Sequence, residues 1–275
     1  MAKRHDAKEV KISDPFHSVV PYVMPKRTEA EISITENFDI TDLLKYIDDK
    51  NNNENTNLKL FHCVCYAIAR TIYHRPKMNI FIAGRKYWQR NDISLSFVAK
   101  QKFEDMAEEV LMFLKVNPEM TINEISKKIL GDVNDVKQLK KNDVDALMNF
   151  VGKLPRFVLT ILFFVISRLE YHGIVPEALT KGDPNYSTCL LANLGSIGAG
   201  APYHHLSNYG TCSMMSTIGT YYKKDDRTLL PITFILDERI ADGFYFAKSL
   251  KYTRYILDHP KVIEESISNP ININE

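Results

Sequence analysis

Almost no net charge remains on this chain. Its 35 Lys and Arg stand against 34 Asp and Glu, so the overall balance makes no electrostatic case for nucleic acid or for an anionic membrane surface. Cysteine is scarce: Cys63, Cys65, Cys189 and Cys212 are the full set, and none has metal-ligand spacing. Cys63 and Cys65 fall in a helical stretch, where an i,i+2 pair points to different faces. Buried apolar thiols are therefore expected, and no metal. Internal repeats and low-complexity linkers are absent. The N-terminal "MAKRHDAKEVKISD" lacks the apolar centre of a secretory signal, which favours a reducing, cytoplasmic setting. A membrane span needs about 20 apolar residues, and no such run exists. The nearest is "FVLTILFFVIS", Phe157–Ser167, closed off by Arg156 and Arg168. It is too short to cross and reads as a buried helix. A surface helix docking on lipid or on another subunit is the alternative.

What is present divides into recognisable pieces. "EISITENFDI" alternates Ile32 and Ile34 with polar neighbours, the pattern of a half-buried strand. "TDLLKYIDDKN" predicts a short helix with Thr41 as its cap, and "NNNENTN", Asn51–Asn57, a solvated loop. "LKLFHCVCYAIARTIYHRP" places Leu58, Phe61, Cys65, Ile68 and Ile72 at helical spacing before Pro76. "MNIFIAG" and "ISLSFVAKQKF" read as two strands, with "RKYWQRND" as the hairpin turn between them. Phe103–Tyr171 is helical by periodicity, broken near Gly131 and at Lys153–Pro155. Strands return at Cys189–Leu194, Thr211–Thr220 and Leu229–Leu236, and a last helix runs from about Gly243 to before Pro260. Strands, then helices, then strands predict an α/β or α+β layer fold.

Several of these pieces, in their order, resemble the catalytic domain of the chloramphenicol acetyltransferase and dihydrolipoyl acyltransferase superfamily. "FDITDLLKYI" resembles the family's strand leading into its first core helix. "LKLFHCVCYAIARTIYHRPKMN" resembles its next helix and turn. "LLANLGSIGAGAP" resembles the stretch that reads Ser-Asn-Leu-Gly in many dihydrolipoyl acyltransferases. "GTYYKKDDRTLLPITFILDERIADG" resembles the strand pair that runs into the His-x-x-x-Asp-Gly signature. The resemblance implies an α/β two-layer sandwich with a mixed β-sheet, as one acyltransferase-like catalytic domain over residues 1–275, with a helical insertion at about 117–185. It further implies a homotrimer with its active site in a channel between subunits, and a coenzyme A thioester as substrate, with no covalently bound cofactor. The core-like pattern begins by about Asp14, which leaves no room for a lipoyl or subunit-binding module and suggests a free-standing protein with a small-molecule acceptor.

In the family the signature histidine is the general base that deprotonates the acceptor, a serine or threonine hydroxyl holds the oxyanion, and the signature aspartate fixes the loop through a salt bridge. Asp242 and Gly243 match this loop. Glu238 stands where the histidine belongs, and Ala192, ahead of Asn193, where the hydroxyl belongs. Arg27 and Arg239 are the candidate partners of Asp242. An ordinary glutamate titrates at about 4.3 against about 6.5 for histidine, and is the poorer base. Loss of an oxyanion donor costs about 10²–10³ in rate. His204 and His205, in "APYHHLSNYG", are candidate replacements for the imidazole, with Tyr203, Ser207 and Tyr209 near enough in sequence to supply hydroxyls. Two functions stay open: a divergent acyltransferase using Glu238 or the His204-His205 pair, and a non-catalytic trimer that keeps the fold for binding.

Overall fold

The computed structural model describes residues 4–12, 14–100, 109–137, 151–180 and 182–273. Its centre is a seven-stranded mixed sheet, ordered β2 (Glu31–Asp39), β10 (Arg227–Asp237), β8 (Met214–Ile218), β7 (Cys189–Asn193), β5 (Ile93–Lys100), β6 (Glu109–Val116), with short β9 (Tyr222–Lys224) on β10. β7 runs parallel to both β8 and β5, and the other pairs are antiparallel. A second, three-stranded sheet is ordered β1 (Ala7–Val10), β4 (Lys86–Arg90), β3 (Ile80–Ala83).

Helices cover one face of the large sheet. They are α2 (Thr41–Glu54), α3 (Leu60–His74), α4 (Ile122–Lys137) and α7 (Gly243–Asp258), and the chain also forms α1 (Pro15–Val23) and the short α6 (Glu177–Thr180). α3 lies innermost, packed by α4 and α7 and by β5, so it is buried on most of its surface, with Cys63 and Cys65 both covered. Burial raises both thiols above their ordinary range. On β10 the alternation is regular. Leu230, Ile232, Phe234 and Leu236 join the core under the helices, and Ile235 joins Met215 and Leu206 on the opposite face. That opposite face is overlaid by the loop of residues 201–210, whose Ala201 and Pro202 carbonyls accept from Thr233 Oγ1 and Thr217 Oγ1 at 2.8 and 2.7 Å.

The strands at Cys189–Leu194, Thr211–Thr220 and Leu229–Leu236 and the helix before Pro260 all form within a few residues of their expected bounds. Other readings need correction. "RKYWQRND" is not a turn: Lys86–Arg90 is the middle strand of the small sheet, with Tyr87 and Trp88 buried, so β3 and β5 belong to different sheets. Glu109–Val116 is a strand, paired with β5 and burying Met112, Leu114 and Val116 in alternation. Helix α4 continues through Gly131. Residues 103–108 and 138–150 of that helical reading lie outside the described residues. Thr41 is the first residue of α2 rather than its cap; its hydroxyl donates to Asp39 Oδ1 at 2.6 Å and accepts from Thr228 N at 2.8 Å. Asn51–Glu54 belong to the same helix, and the Asn51 side chain clasps both backbone groups of Leu58.

The apolar stretch Phe157–Ser167 is helical, within α5 (Arg156–Tyr171), but it is not buried in the protomer. Only Ile166 is fully covered, while Phe157, Ile161 and Phe164 are each 60% exposed or more. Phe163 is less exposed, at 39%, and sets its ring edge-on to Tyr209 at 5.4 Å.

Candidate active site

β10 ends in a turn built on charge. Asp237 shares the parity of Thr233 and Ile235, so its carboxylate enters the face beneath the 201–210 loop and is fully buried. Arg239 holds it in a bidentate pair at 2.7 and 2.6 Å and spends its remaining nitrogen on Met24 O. Arg27 approaches from the other side, its Nε 3.8 Å from Asp237 Oδ2, while its Nη atoms donate to the carbonyls of Ser207 and Gly210. Burial lowers the Arg27 pKa, and the Asp237 charge opposes that shift. Both arginines named as partners for Asp242 therefore serve Asp237. Asp242 instead caps α7, accepting from Tyr245 N at 2.7 Å. Ile240 and Ala241, buried between the two aspartates, pin the turn to the core.

Glu238 continues the sheet for one residue, donating its N–H to Ala30 O at 2.8 Å, and its side chain is exposed. Gly243 opens α7 with open space around its Cα.

Ala192 and Asn193 sit at the far end. Ala192 pairs with Thr217, which pairs with Thr233, five residues before Glu238. At about 3.3 Å per residue and about 4.8 Å between strands, that separates Ala192 from Glu238 by close to 20 Å within one protomer. The Ala192 methyl packs against the Leu206–Met215–Ile235 cluster, and the facing Thr217 hydroxyl is engaged by Pro202 O. The Gly195 that follows has a packing reason: a Cβ there would lie 2.5 Å from Gly219 O, on the strand-end residue that closes β8. Asn193 supplies its carbonyl to Ser196 Oγ at 2.7 Å.

The 201–210 loop links these two ends. It leaves Thr217 and Thr233 at Ala201–Pro202 and reaches the Asp237 end where Leu206 N donates to Glu31 Oε2 at 2.8 Å; Glu31 is the register partner of Asp237. His204 and His205 lie between, exposed, with rings 4.8 Å apart. His204 Nδ1 accepts the His205 amide N–H at 2.8 Å. The same Nδ1 lies 3.1 Å from the His205 carbonyl oxygen, so both of its contacts are local to the His204-His205 peptide. Of the pair, His205 is the one whose ring nitrogens make no hydrogen bond among the described residues. Ser207 Oγ accepts from Tyr209 N at 3.0 Å, and Tyr209 OH donates to Asp183 Oδ2 at 3.3 Å, its pKa pushed up to about 12 chiefly by burial. Tyr203 is exposed. Among the described residues no group of His, Cys, Asp or Glu could hold a metal ion.

The sequence reading missed Asp237. The available signal was an acid and a base two apart, Asp237 and Arg239, at the end of a strand too apolar to finish in unpaired charge.

No family model and no curated protein sequence matches the chain. Solved structures do. A probable dihydrolipoamide acetyltransferase from Listeria monocytogenes aligns over 93% of this chain and 95% of its own, with a TM-score of 0.61 at 16% identity. A chloramphenicol acetyltransferase aligns over 91% and 99%, with a TM-score of 0.61 at 12% identity. A truncated catalytic core of the 2-oxoacid dehydrogenase multienzyme complex from Thermoplasma acidophilum gives 0.59 over 92% and 99% at 13% identity. At these identities the likeness concerns architecture: the chain has the fold of the chloramphenicol acetyltransferase and dihydrolipoyl acyltransferase superfamily.

Proposed function

We propose that the protein is a homotrimeric member of the acyltransferase fold that binds a coenzyme A thioester, or the acceptor that would meet it, without running the fold's ordinary transfer reaction. One observation carries this reading. The two positions at which the sequence resemblance puts a base and an oxyanion hydroxyl hold an exposed carboxylate, Glu238, and a methyl group packed on the apolar face, Ala192. A carboxylate in water is a weak base towards a thiol or alcohol. The Ala192 methyl has no proton to donate to a developing oxyanion. The scaffold around both is intact: the Asp237 ion pairs hold the turn, Asp242 caps α7, and Gly195 seats the loop after β7.

Assembly follows from the same geometry. Ala192 and Glu238 lie at opposite ends of one sheet, so a site using both requires the end of one protomer to face the opposite end of its neighbour. Light scattering should return roughly three times the 31.6 kDa chain mass; a mass of one chain would remove the channel and this reading with it.

A second reading rests on His205. Its ring is uncommitted, and the loop that carries it is tied to the Asp237 end through Leu206 and Ser207. In that case the protein is an acyltransferase whose base has moved from the strand end to the loop. Thiol release from acetyl-coenzyme A over a panel of small thiols, amines and alcohols separates the two. The binding reading expects calorimetric heat with coenzyme A and no release above spontaneous hydrolysis. Turnover that disappears in His205→Ala establishes the second reading.

A further inference from the structure

Although the chain as a whole is nearly neutral, the charge on helix α5 is not balanced. Between Val151 and Pro176 the basic side chains are Lys153, Arg156 and Arg168, and the one acid is Glu170. Glu170 is turned inward, its Oε1 3.9 Å from Arg4 Nη1, with its pKa raised chiefly by burial. The outward face therefore carries no acid: beside its apolar groups and cations it has only the neutral hydroxyls of Thr160 and Ser167. Phe157, Ile161 and Phe164 stand at i, i+4 and i+7, exposed by 68, 60 and 70%, a stripe on one side of the helix. Exposed Arg156 and Arg168 bracket it at a spacing of about 18 Å along the axis. The inward side is fastened. Phe163 lies against Tyr209, Ile166 is buried, and the hairpin turn at Gly84 packs so tightly on the Tyr171 backbone that a Cβ there would lie 1.9 Å from Tyr171 O. At this end Arg168 lies over the Tyr171 ring at 5.4 Å, and Arg85, next to Gly84, lies over the Tyr22 ring at 4.8 Å.

We propose that α5 is a membrane-surface anchor that lays its Phe157–Ile161–Phe164 stripe into an anionic lipid leaflet, with Arg156 and Arg168 on the headgroups. An amphipathic helix with bulky apolar residues on one face and only basic charge at its margins lies in the interfacial plane of a bilayer, and Arg and Tyr side chains reach from apolar surface to headgroup. No helix among the described residues is long and apolar enough to cross a membrane. Charge chooses the occupant. A two-fold contact of this face with itself would bring cation against cation, whereas anionic lipid neutralises both arginines at roughly 1 kcal/mol each.

The test uses the full chain and vesicle sedimentation. Wild-type protein should pellet with vesicles of phosphatidylcholine and phosphatidylglycerol and stay in solution with phosphatidylcholine alone, and added salt should weaken the binding. Removing two charges in Arg156→Gln/Arg168→Gln should reduce the partition coefficient roughly thirtyfold. Phe157→Ser/Phe164→Ser should abolish pelleting with an unchanged light-scattering mass. Absence of binding to anionic vesicles, or equal binding to both kinds, overturns the proposal. So does a fall in oligomer mass in the Phe157→Ser/Phe164→Ser variant, which would make α5 a contact between copies of the chain.

Discussion

Helices α3 and α5 differ by one residue in length, 15 against 16, and both are mostly apolar, yet one is the centre of the core and the other lies on the surface. α3 buries eleven side chains, Arg70 among them, because α4, α7 and the sheet surround it. α5 fully buries one. Composition says that a segment forms a helix and repels water; it does not say which neighbours will cover it. The two helices also treat their polar residues differently. In α3 they are enclosed and matched: Arg70 meets Glu265 Oε2 at 2.6 Å and Val262 O at 2.6 Å, and His62 meets Ser126 Oγ at 2.9 Å. In α5 the arginines flank an open apolar stripe, which is the arrangement of a surface made to meet something.

Truncation should separate the helices most sharply. Ile68 is 2% exposed and surrounded, so Ile68→Ala should cost about 2–5 kcal/mol, transfer and cavity terms combined. Denaturant unfolding measures this, and a loss under about 1 kcal/mol would mean α3 is far less tightly packed than described.

A pH effect of intermediate size should come from α3 as well. Burial lowers the His62 pKa to about 4, with nearby Lys59 adding to the shift. The unfolded chain titrates this group near 6.5 and takes up the proton first as pH falls. Stability from the neutral ring is therefore complete above about 6.5 and lost as pH drops towards about 4, by about 2–3 kcal/mol. His62→Gln should flatten that part of the stability–pH curve, and an unchanged slope would place the titration elsewhere.

The smallest effect belongs to α5. Ile161 is 60% exposed, and Ile161→Ala should stay within about 0.5 kcal/mol of wild type. A loss as large as that of Ile68→Ala would show that α5 is covered in the assembled protein.

How far the sequence could be read follows the same division. β2, β7, β8, β10, α3 and α7 declared themselves because periodicity and buried surroundings agreed. β4 did not, since Arg85, Lys86 and Arg90 make a short segment look like a charged turn although Tyr87 and Trp88 are both buried. β6 was hidden by the apolar run "VLMFLKV", which suits either period; the alternating burial of Met112, Leu114 and Val116 decides for a strand. At the site, Asp242, Gly243, Glu238 and Ala192 were singled out by resemblance to a motif, but what each side chain touches was not legible. The motif could not show that the ion pair had moved to Asp237, whose partner Arg27 lies 210 positions earlier in the chain, nor that an amide contact would occupy His204 Nδ1.

The most direct measurement is thiol release from acetyl-coenzyme A by wild type and by the double variant Glu238→His/Ala192→Ser, each assayed with a small thiol acceptor. If the scaffold is intact and only base and oxyanion donor are missing, wild type should be silent. The double variant should then turn over, with a gain larger than the two single changes multiplied together, because both groups act in one step. Wild-type turnover that exceeds the double variant's would contradict the account.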